Sequence, residues 1–360
     1  MEIKVLKSSI RKDFEEWLGI LESMPEKDIY FYPQYSNVFE HNGDGESCCF
    51  ICKDNYENVV IHPFLRRRIN DMEIFKDLDR DYYDITSPYG FGGYLKNKPV
   101  GIDMNACLEL FNNYCVENNI ISEFVRFTPW MDIHEECACF MDVSLWNKVV
   151  AIDLTKAKSE LWADFDSKNR NRIRKSIKCN VIVKENRNFE YLDKFCSLYY
   201  QTMNRNNATS YYYFDQAFFK NLIHKLSQNL TFFYAFWGKK IIGAVLVLYC
   251  RDFAHVFLAC TDEDYLEFAP SNLMFYISAL WAKKRKFKYL FLGGGRSPSQ
   301  EDSLLRFKKR FSKLYFDFYL GKKIYNNKIY DLLSQKNMRA NSGRGKAIND
   351  NSFFPLYRGI

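Results

Sequence analysis

Three consecutive glycines are the residues of this sequence whose type and spacing most directly indicate a ligand site. Gly293, Gly294 and Gly295 follow the apolar run KYLFL, so they end a buried strand. Glycine lets a ligand or a helix approach the backbone closely, and free backbone N–H groups bind anions. A sharp turn after a strand explains one glycine more readily than three, so the run predicts the lining of a cleft.

The cysteines and histidines do not have the spacing of a metal site. Cys49 and Cys52 form one Cys-x-x-Cys, and Cys137 and Cys139 form a mismatched pair about 85 residues later. A structural zinc site needs four ligands at consistent spacing, usually from two such pairs. The five histidines form no ligand motif, and no nucleophile elbow or phosphate P-loop is present. We expect no metal, and we expect most of the eleven cysteines to be reduced core thiols.

The elements of the second half that must position the glycine run alternate in type. Helical spacing predicts helices over 167–178, 189–206, 215–228 and 271–286. The apolar runs LTFFYAFW, IIGAVLVLYC and AHVFLACT are separated by short polar turns, which predicts an antiparallel meander. After KYLFLGGG come a helix, DSLLRFKKRFSK, and a strand, LYFDFYLG.

The first half predicts helices over 13–24 and 104–119, a hairpin of SCCFICK with NVVIHPFLRRRI, and strands at YYDIT, ISEFVRF and KVVAIDL. Strands that alternate with helices beside a meander predict an α/β fold of mixed α+β sheets, with helices on both faces. The length predicts about two domains. We place them at 1–150 and 151–345, followed by a tail over 346–360 whose FFPLYR segment docks back on the fold.

The charge of the chain is divided unevenly between the two predicted domains. The whole chain has 51 basic and 44 acidic residues, a net of +7. Residues 1–150 contain 15 basic and 26 acidic residues, so their net charge is −11 and that of the remainder is +18. The second domain is therefore expected to attract anions.

No apolar run follows the charges of the first 17 residues, which argues against a secretory signal. The longest apolar run, 241–250, is about half a membrane span. We therefore expect a soluble, cytoplasmic protein without a transmembrane segment.

Four segments, in this order along the chain, resemble the Fem-like family of tandem-GNAT acyltransferases. They are DLTKAKSELWADFDSKNRNRIRKSIKCNVIV, LYYQTMNRNNATSYYYF, YLFLGGGRSPSQEDSLLRFKKRFSK and the final FFPLYR. In the first half, FYPQYSNVF, SPYGFGGYL and VRFTPWM fit the family's first GNAT-like unit more loosely. The resemblance implies two tandem GNAT-like acyl-CoA N-acyltransferase domains with a cleft between them.

The resemblance implies acyl transfer to an amine. Fem enzymes join an amino acid from aminoacyl-tRNA to a peptidoglycan-precursor amine, whereas other relatives are thought to use acyl-CoA. Both donors are polyanions, and the acceptors usually carry a nucleotide or lipid pyrophosphate, in agreement with the basic second half. The resemblance implies no bound cofactor, and the donor is either aminoacyl-tRNA or acyl-CoA.

The resemblance assigns roles to three basic or aromatic positions of the second half. Lys308, in RFKKRF, corresponds to the family's lysine that contacts acceptor phosphate and stabilises developing charge without titrating. Lys309 is the alternative to it. Arg205, in QTMNRNN at the end of the helix 189–206, resembles the arginine that binds acceptor phosphate. In the loop after this helix, Tyr213 is a candidate contact for a substrate ring or phosphate.

The candidate donor site departs from the GNAT pattern. Acyl-CoA enzymes have a glycine-rich motif at the start of the helix after the meander, whose N–H groups hold pyrophosphate. Ser271 and Asn272 occupy that place here, within the glycine-free stretch DYLEFAPSNLM. The departure favours aminoacyl-tRNA or an unusual donor pose. The basic helix 167–178 is interpreted as a brace between domains with a charged surface, and tRNA and the membrane surface remain alternative partners for it.

In the first domain, Tyr89 and Arg126 are predicted to line the acceptor cleft together with the glycines of SPYGFGGYL. Asp84 precedes that loop and is a candidate acceptor for the proton of the attacking amine. An amine nucleophile needs orientation and a proton acceptor rather than a covalent enzyme intermediate.

The sequence therefore predicts an acyltransferase of cell-envelope biosynthesis. It would transfer an aminoacyl or acyl group to a primary amine of a nucleotide- or lipid-linked precursor, either a peptidoglycan peptide or an amino sugar. One alternative is an acetyl-CoA-dependent N-acetyltransferase that acts on an amino sugar or other small amine. The other is a non-catalytic nucleic-acid-binding protein, in which YYYF stacks bases.

Overall fold

The structure is a computed structural model that describes residues 1–98, 100–342 and 353–359. Its strands are β1 (Glu2–Lys7), β2 (Glu46–Lys53), β3 (Val59–Arg68), β4 (Tyr83–Thr86), β5 (Leu95–Lys96), β6 (Ile120–Arg126), β7 (Asp142–Asp153), β8 (Val181–Asn186), β9 (Leu230–Trp237), β10 (Lys240–Cys250), β11 (Phe253–Thr261), β12 (Tyr289–Gly293) and β13 (Leu314–Ile324). Its helices are α1 (Arg11–Ser23), α2 (Pro33–His41), α3 (Met104–Glu117), α4 (Ile133–Cys137), α5 (Lys158–Asp164), α6 (Ser167–Lys178), α7 (Leu192–Arg205), α8 (Gln216–Leu226), α9 (Pro270–Lys284), α10 (Ser303–Lys309) and α11 (Asn327–Ser342).

The chain folds into two compact units. Unit 1 contains residues 1–146 and 318–360, and unit 2 contains residues 147–317. Unit 2 has 29 basic against 16 acidic residues, a net of +13, whereas unit 1 has a net of −6. The charge asymmetry seen in the sequence is thus a property of the folded units.

Each unit has a mixed sheet built in the same way. The strand order is β1-β2-β3-β4-β6-β13 in unit 1 and β8-β9-β10-β11-β12-β7 in unit 2. Neighbouring strands are antiparallel except for one parallel pair in each unit, β4 with β6 and β11 with β12. Apart from the two-residue strand β5 of unit 1, the chain order in both units is strand, two helices, three strands, helix, strand. This internal repeat, which includes the strand β1 that the sequence analysis missed, agrees with the predicted pair of GNAT-like units.

The last strand of each unit comes from outside the repeated segment. β13 pairs with β6 of unit 1 through Leu320–Ile324, and β7 pairs with β12 of unit 2 through Val150–Asp153. Residues 318–342, which the sequence analysis placed in the second domain, therefore belong to unit 1, and residues 343–345 of that domain lie outside the described residues. Local sequence pattern specifies that LYFDFYLGKKI is a strand, but its partner is decided by contacts with residues about 200 positions earlier.

The FFPLYR segment packs on unit 1. The buried Tyr357 shares a 2.7 Å hydrogen bond between its hydroxyl and that of Ser122, and the backbone N–H of Leu356 donates to the Tyr330 hydroxyl at 3.1 Å. Residues 346–352 of the predicted tail lie outside the described residues.

Most cysteines are buried thiols, and one pair is bonded. Cys52 of β2 and Cys107 of α3 form a disulfide, and the other nine cysteines are free. Burial raises the pKa of the Cys48 thiol to about 12, so this thiol stays protonated at neutral pH. Within residues 1–98, 100–342 and 353–359, no group of three or more His, Cys, Asp or Glu side chains is arranged to hold a metal ion.

Candidate active site

The glycine run holds a lysine ammonium group at the end of β12. Gly293, the last residue of β12, has a φ of +79°, and a Cβ there would lie 3.1 Å from the Lys308 ammonium nitrogen. Lys308 lies on the last turn of α10 and donates a 2.8 Å hydrogen bond to the Gly294 carbonyl oxygen. The absence of a side chain at position 293 is thus what lets the lysine reach the strand end.

Asp302 organises the loop between the glycines and α10. It caps the helix, accepting hydrogen bonds from the N–H groups of Leu304 and Leu305 at 2.9 Å each. It also accepts from the Arg296 N–H and the Ser297 hydroxyl, at 3.1 and 3.2 Å. Partial burial opposes ionisation of Asp302, but these hydrogen bonds outweigh it and the pKa of Asp302 is lowered. The ionised carboxylate therefore fixes the loop that carries Lys308.

Lys308 is placed where it can titrate near neutral pH. Burial lowers its pKa from the usual value of 10.5 to about 8, and the charge of Asp302 opposes this effect only partly. The sequence analysis expected a lysine that stays charged. The structure instead gives this amine a substantial neutral fraction at pH 8, which suits proton transfer as well as charge stabilisation.

The parallel pair of strands beside Lys308 is incomplete. β11 and β12 are paired only from Phe253 to His255, opposite Tyr289 to Phe291, although β11 continues for six more residues to Thr261. The residues 256–259 of β11 are partly exposed. An extended ligand can therefore lie along the part of β11 that does not pair with β12, with the Lys308 ammonium at the end of β12.

Two predicted residues are joined at the C-terminal end of β11, and a third lies on the adjoining turn. The Arg205 guanidinium donates a 3.1 Å hydrogen bond to the Thr261 carbonyl oxygen, and the Thr261 hydroxyl lies 2.7 Å from that of Ser271. Tyr213 donates from its hydroxyl to the Asn204 side-chain oxygen at 2.8 Å, which fixes this ring beside the end of α7. The structure thus brings Arg205 and Ser271 together through Thr261, with Tyr213 on the adjoining turn.

Two further predicted residues are engaged elsewhere. Asn272 is buried, and its amide donates to the Asn169 side-chain oxygen at 2.8 Å, so it joins α9 to α6. Lys309 donates to the Gln300 side chain at 3.1 Å. Lys308, rather than the alternative Lys309, is therefore the lysine in contact with the glycine run.

The turn before α9 is acidic. Ala269, in the left-handed conformation, and Pro270 precede Ser271, so the first helical residue has no N–H to offer to an anion. The preceding turn Glu263–Phe268 has three exposed carboxylates without an ion pair to any described residue: Glu263, Asp264 and Glu267. These negative charges oppose a pyrophosphate at this helix end.

Asp84 does not have the environment of a proton acceptor. Its side chain is buried, with one oxygen 2.6 Å from Nε of Arg67 and the other 2.5 Å from Nε of Arg358. Both oxygens are therefore engaged by guanidinium groups. This aspartate anchors the C-terminal segment, and its contacts argue against the catalytic role suggested by the sequence.

Arg126 and Tyr89 are neighbours at the corresponding strand ends of unit 1. Arg126, the last residue of β6, donates through its guanidinium to the Ser87 carbonyl oxygen at 3.3 Å and through its backbone N–H to the Ser87 hydroxyl at 3.1 Å. Tyr89 lies two residues after Ser87, and its carbonyl oxygen accepts a 2.5 Å hydrogen bond from the Tyr35 hydroxyl. Both side chains are partly buried, and their ligand-binding roles remain predictions.

Thr261 and Asp302 are the site residues that the sequence analysis missed. Asp302 had a usable signal, since an aspartate directly before the helical run SLLRFKK is a typical helix N-cap. Thr261 ends an apolar strand and had no comparable signal, because its partners Arg205 and Ser271 come from two other elements.

Part of the sequence matches a known domain family. Residues 167–309 match the family model described as an acetyltransferase (GNAT) domain, from the start of α6 to the end of α10. This stretch contains the glycine run, Lys308, Arg205 and Ser271. None of the curated proteins compared with the sequence is significantly similar to it.

Several solved structures share the fold over most of the chain. FemX is similar over 92% of this chain and 99% of its own, with a TM-score of 0.68 and 13% identity. L-PGS from Bacillus licheniformis is similar over 88% and 93%, with a TM-score of 0.56 and 10% identity. The C-terminal domain of a putative lysylphosphatidylglycerol synthetase from Agrobacterium fabrum is similar over 90% and 96%, with a TM-score of 0.53 and 9% identity.

At these identities the likeness establishes the fold. It confirms the predicted mixed α/β fold with two GNAT-like units. No helix among the described residues has the length and apolar character needed to cross a bilayer.

Proposed function

We propose that this chain, whose residues 167–309 match a GNAT acetyltransferase domain and whose fold is similar to that of FemX, transfers an aminoacyl group to a primary amine of a cell-envelope precursor. The observation that carries the proposal is the Lys308 ammonium group, held at the Gly294 carbonyl with a pKa lowered to about 8. The acceptor is a nucleotide- or lipid-linked amine. A lipid acceptor has support in the name of one structural neighbour, a putative lysylphosphatidylglycerol synthetase.

In the proposed reaction the neutral acceptor amine attacks the acyl carbonyl carbon. A C–N bond forms, the C–O bond of the ester breaks, and the proton lost by the amine finally reaches the leaving oxygen. Neutral Lys308 accepts that proton, and its ammonium form stabilises negative charge on the leaving group or returns the proton to it. Arg205, exposed beside Thr261, binds a phosphate of the acceptor.

The charges around α9 support an aminoacyl ester over acyl-CoA as the donor. The carboxylates of Glu263, Asp264 and Glu267 repel the pyrophosphate of CoA at the place where a GNAT enzyme would bind it. An aminoacyl donor has a cationic α-ammonium group, which carboxylates attract. The proposed transfer uses the two substrates and side chains of the protein, and it involves no cofactor.

A second candidate is an acetyl-CoA-dependent N-acetyltransferase that acts on an amino sugar or other small amine. The matching family model, which is described as an acetyltransferase domain, favours it. Under this alternative the donor is a thioester, and the C–S bond breaks in place of the C–O bond.

A donor competition experiment tests the proposal. The protein is incubated with labelled aminoacyl-tRNA or labelled acetyl-CoA, together with nucleotide-linked peptidoglycan peptides, aminated lipids or amino-sugar nucleotides. Transfer of the aminoacyl label, abolished in Lys308→Ala and retained in Lys309→Ala, is the expected result. Transfer from acetyl-CoA alone would establish the second candidate, and absence of transfer from either donor would overturn both.

A further inference from the structure

Unit 1 contains a cavity that the proposed reaction does not use. Its volume is about 600 Å³, within the range of pockets that bind small molecules. All of its lining residues belong to unit 1, whereas Lys308 and Arg205 belong to unit 2. The cavity lies at the end of β13, beside the start of β7 and the FFPLYR segment, and its apolar walls are formed by Phe140, Met141, Ile324, Phe353, Phe354 and Leu356.

The aromatic wall of this cavity is held in place by α11. The ring of Phe354 stacks on that of Tyr330, with 5.8 Å between the ring centroids and 24° between the ring planes. Tyr330 also lines the cavity, and its hydroxyl accepts a 3.1 Å hydrogen bond from the Leu356 N–H. The wall is therefore formed before any ligand arrives, so binding loses little side-chain entropy there.

Two lysines of β13 bring positive charge to these apolar walls. The ammonium nitrogen of Lys322 lies 5.9 Å from the centroid of the Phe354 ring, and that of Lys323 lies 5.9 Å from the centroid of the Phe140 ring. Both lysines line the cavity and are partly buried, and neither forms an ion pair with any residue that the structure describes. Their ammonium groups are therefore available to an anion that enters the cavity.

The lining carries one opposing charge. Asp142, the first residue of β7, is exposed and is the single carboxylate among the described residues that line the cavity. Two lysines against one aspartate leave these lining residues with a net charge of +1. The cavity thus combines apolar and aromatic walls with a small excess of positive charge, which favours an anion over a cation.

We propose that this cavity binds one molecule of an amphipathic anion, a single alkyl chain with a phosphate or carboxylate head. The aromatic and aliphatic walls remove the chain from water, and the ammonium groups of Lys322 and Lys323 form charge-assisted hydrogen bonds with the head. A bilayer surface would instead require several exposed apolar side chains. Of the described large apolar residues that line the cavity, only Phe353 is exposed, which favours a single ligand molecule over a membrane.

Isothermal titration calorimetry with decyl phosphate and decanoate tests the inference. Inorganic phosphate lacks the chain and decyltrimethylammonium reverses the charge of the head, so these two probes are the controls. We expect one decyl anion to bind per chain and both controls to bind at least tenfold more weakly. Octyl phosphate should bind about fifteenfold more weakly than decyl phosphate, because burial of each CH₂ contributes a factor of about four. Equal binding of the decyl cation, or no saturable binding of either decyl anion, would overturn the inference.

Matched variants test the two lysines. Lys322→Gln/Lys323→Gln should weaken binding of the decyl anion at least tenfold. The control Lys12→Gln/Lys220→Gln removes two exposed lysines that do not line the cavity, changes the net charge equally and should alter the affinity less than twofold. Thermal unfolding establishes that both variants are folded. Equal effects of the two variants would overturn the inference, as would binding to phosphatidylglycerol vesicles without binding of either decyl anion.

A cysteine of the cavity reports where the ligand binds. Cys139 is exposed and lines the cavity, whereas Cys179 is a partly exposed free cysteine of unit 2. A saturating decyl anion should slow alkylation of Cys139 by N-ethylmaleimide at least fivefold and leave Cys179 unchanged, as measured by peptide mass spectrometry. An unchanged rate at Cys139 would place the ligand elsewhere and overturn the inference. These measurements use neither donor nor acceptor, so their failure leaves the proposed function standing, and failure of transfer leaves the cavity site standing.

Discussion

The ammonium nitrogen of Lys308 lies 2.8 Å from the carbonyl oxygen of Gly294, on a glycine run that ends the buried strand β12. This contact places a cation beside the parallel pair β11–β12, which stops pairing after His255 and Phe291. A partly buried amine at a strand end is suited to proton transfer, since burial brings its pKa into the neutral range.

The transfer rate should depend on the protonation of Lys308. With a pKa of about 8 in the folded protein, the neutral amine increases as the pH rises from 7 to 9. We expect kcat/KM to rise with pH, and the component of the rise with a pKa of about 8 should vanish in Lys308→Arg, which stays charged, while the component from deprotonation of the acceptor amine remains. The pH profiles of the wild type, of Lys308→Arg and of the control Lys309→Ala measure this dependence. A profile of the wild type that is flat across pH 7–9 would contradict the role.

The same titration affects stability with a definite sign. Lys308 is less basic in the folded chain than in the unfolded chain, so folding disfavours its charged form. The destabilisation is largest below pH 8 and disappears as the pH approaches the unfolded value of 10.5. Lys308→Met should therefore gain stability relative to the wild type at pH 7 more than at pH 10, as measured by urea unfolding.

Substitution of Gly293 should damage the site more than the fold. Gly293→Ala introduces a Cβ 3.1 Å from the Lys308 ammonium nitrogen. It also places an alanine at a φ of +79°, in the left-handed region that favours glycine. The backbone strain costs roughly 1 kcal/mol, while displacement of Lys308 should lower kcat at least tenfold. Gly43→Ala is the control, because Gly43 has a φ of +86° and open space around its Cβ position. If Gly293→Ala and Gly43→Ala were equally active per folded molecule, the close approach of Lys308 to Gly293 would not matter for activity.

Removal of the Asp302 cap should combine a loss of stability with a loss of activity. Asp302→Ala removes two helix-capping hydrogen bonds and two loop hydrogen bonds, at a cost of about 1 kcal/mol for the cap alone. Asp215→Ala is the comparison variant, because it removes the N-cap of α8, where the Asp215 carboxylate accepts a 2.7 Å hydrogen bond from the Phe218 N–H. Urea unfolding should show a loss of stability for both variants, larger for Asp302→Ala, whereas the transfer rate should fall only for Asp302→Ala. A similar transfer rate in the two variants would remove the positioning role of Asp302.

Asp84 should matter for folding and not for chemistry. Asp84→Asn leaves the guanidinium groups of Arg67 and Arg358 without their buried carboxylate, and breaking a buried ion pair costs about 3–5 kcal/mol. We expect a lower melting temperature and release of the FFPLYR segment, detectable by proteolysis, with an unchanged kcat for the molecules that remain folded. A kcat reduced a hundredfold without loss of stability would restore Asp84 as a catalytic candidate.

Several elements of the fold followed from the sequence because their signals are local. The cationic helix 167–178 is observed with the same bounds, since Asp166 caps it and its apolar positions recur at helical spacing. The meander β9–β11 followed from three apolar runs separated by short turns. The order of helices and strands and the ordered Fem-like motifs likewise predicted a mixed α/β fold of two GNAT-like units, which the structure and the similar solved structures confirm.

The tertiary structure alone decided which distant residues meet. It assigned the end of β13 to unit 1, chose Lys308 over Lys309 and joined Arg205 to Ser271 through Thr261. It also lowered the pKa of Lys308 and gave Asp84 two arginine partners. Side-chain periodicity reports only the conformation of a segment, whereas strand pairing, burial and ion pairing depend on residues far apart in the chain. These non-local contacts turn a lysine of ordinary basicity in the sequence into a candidate catalytic amine.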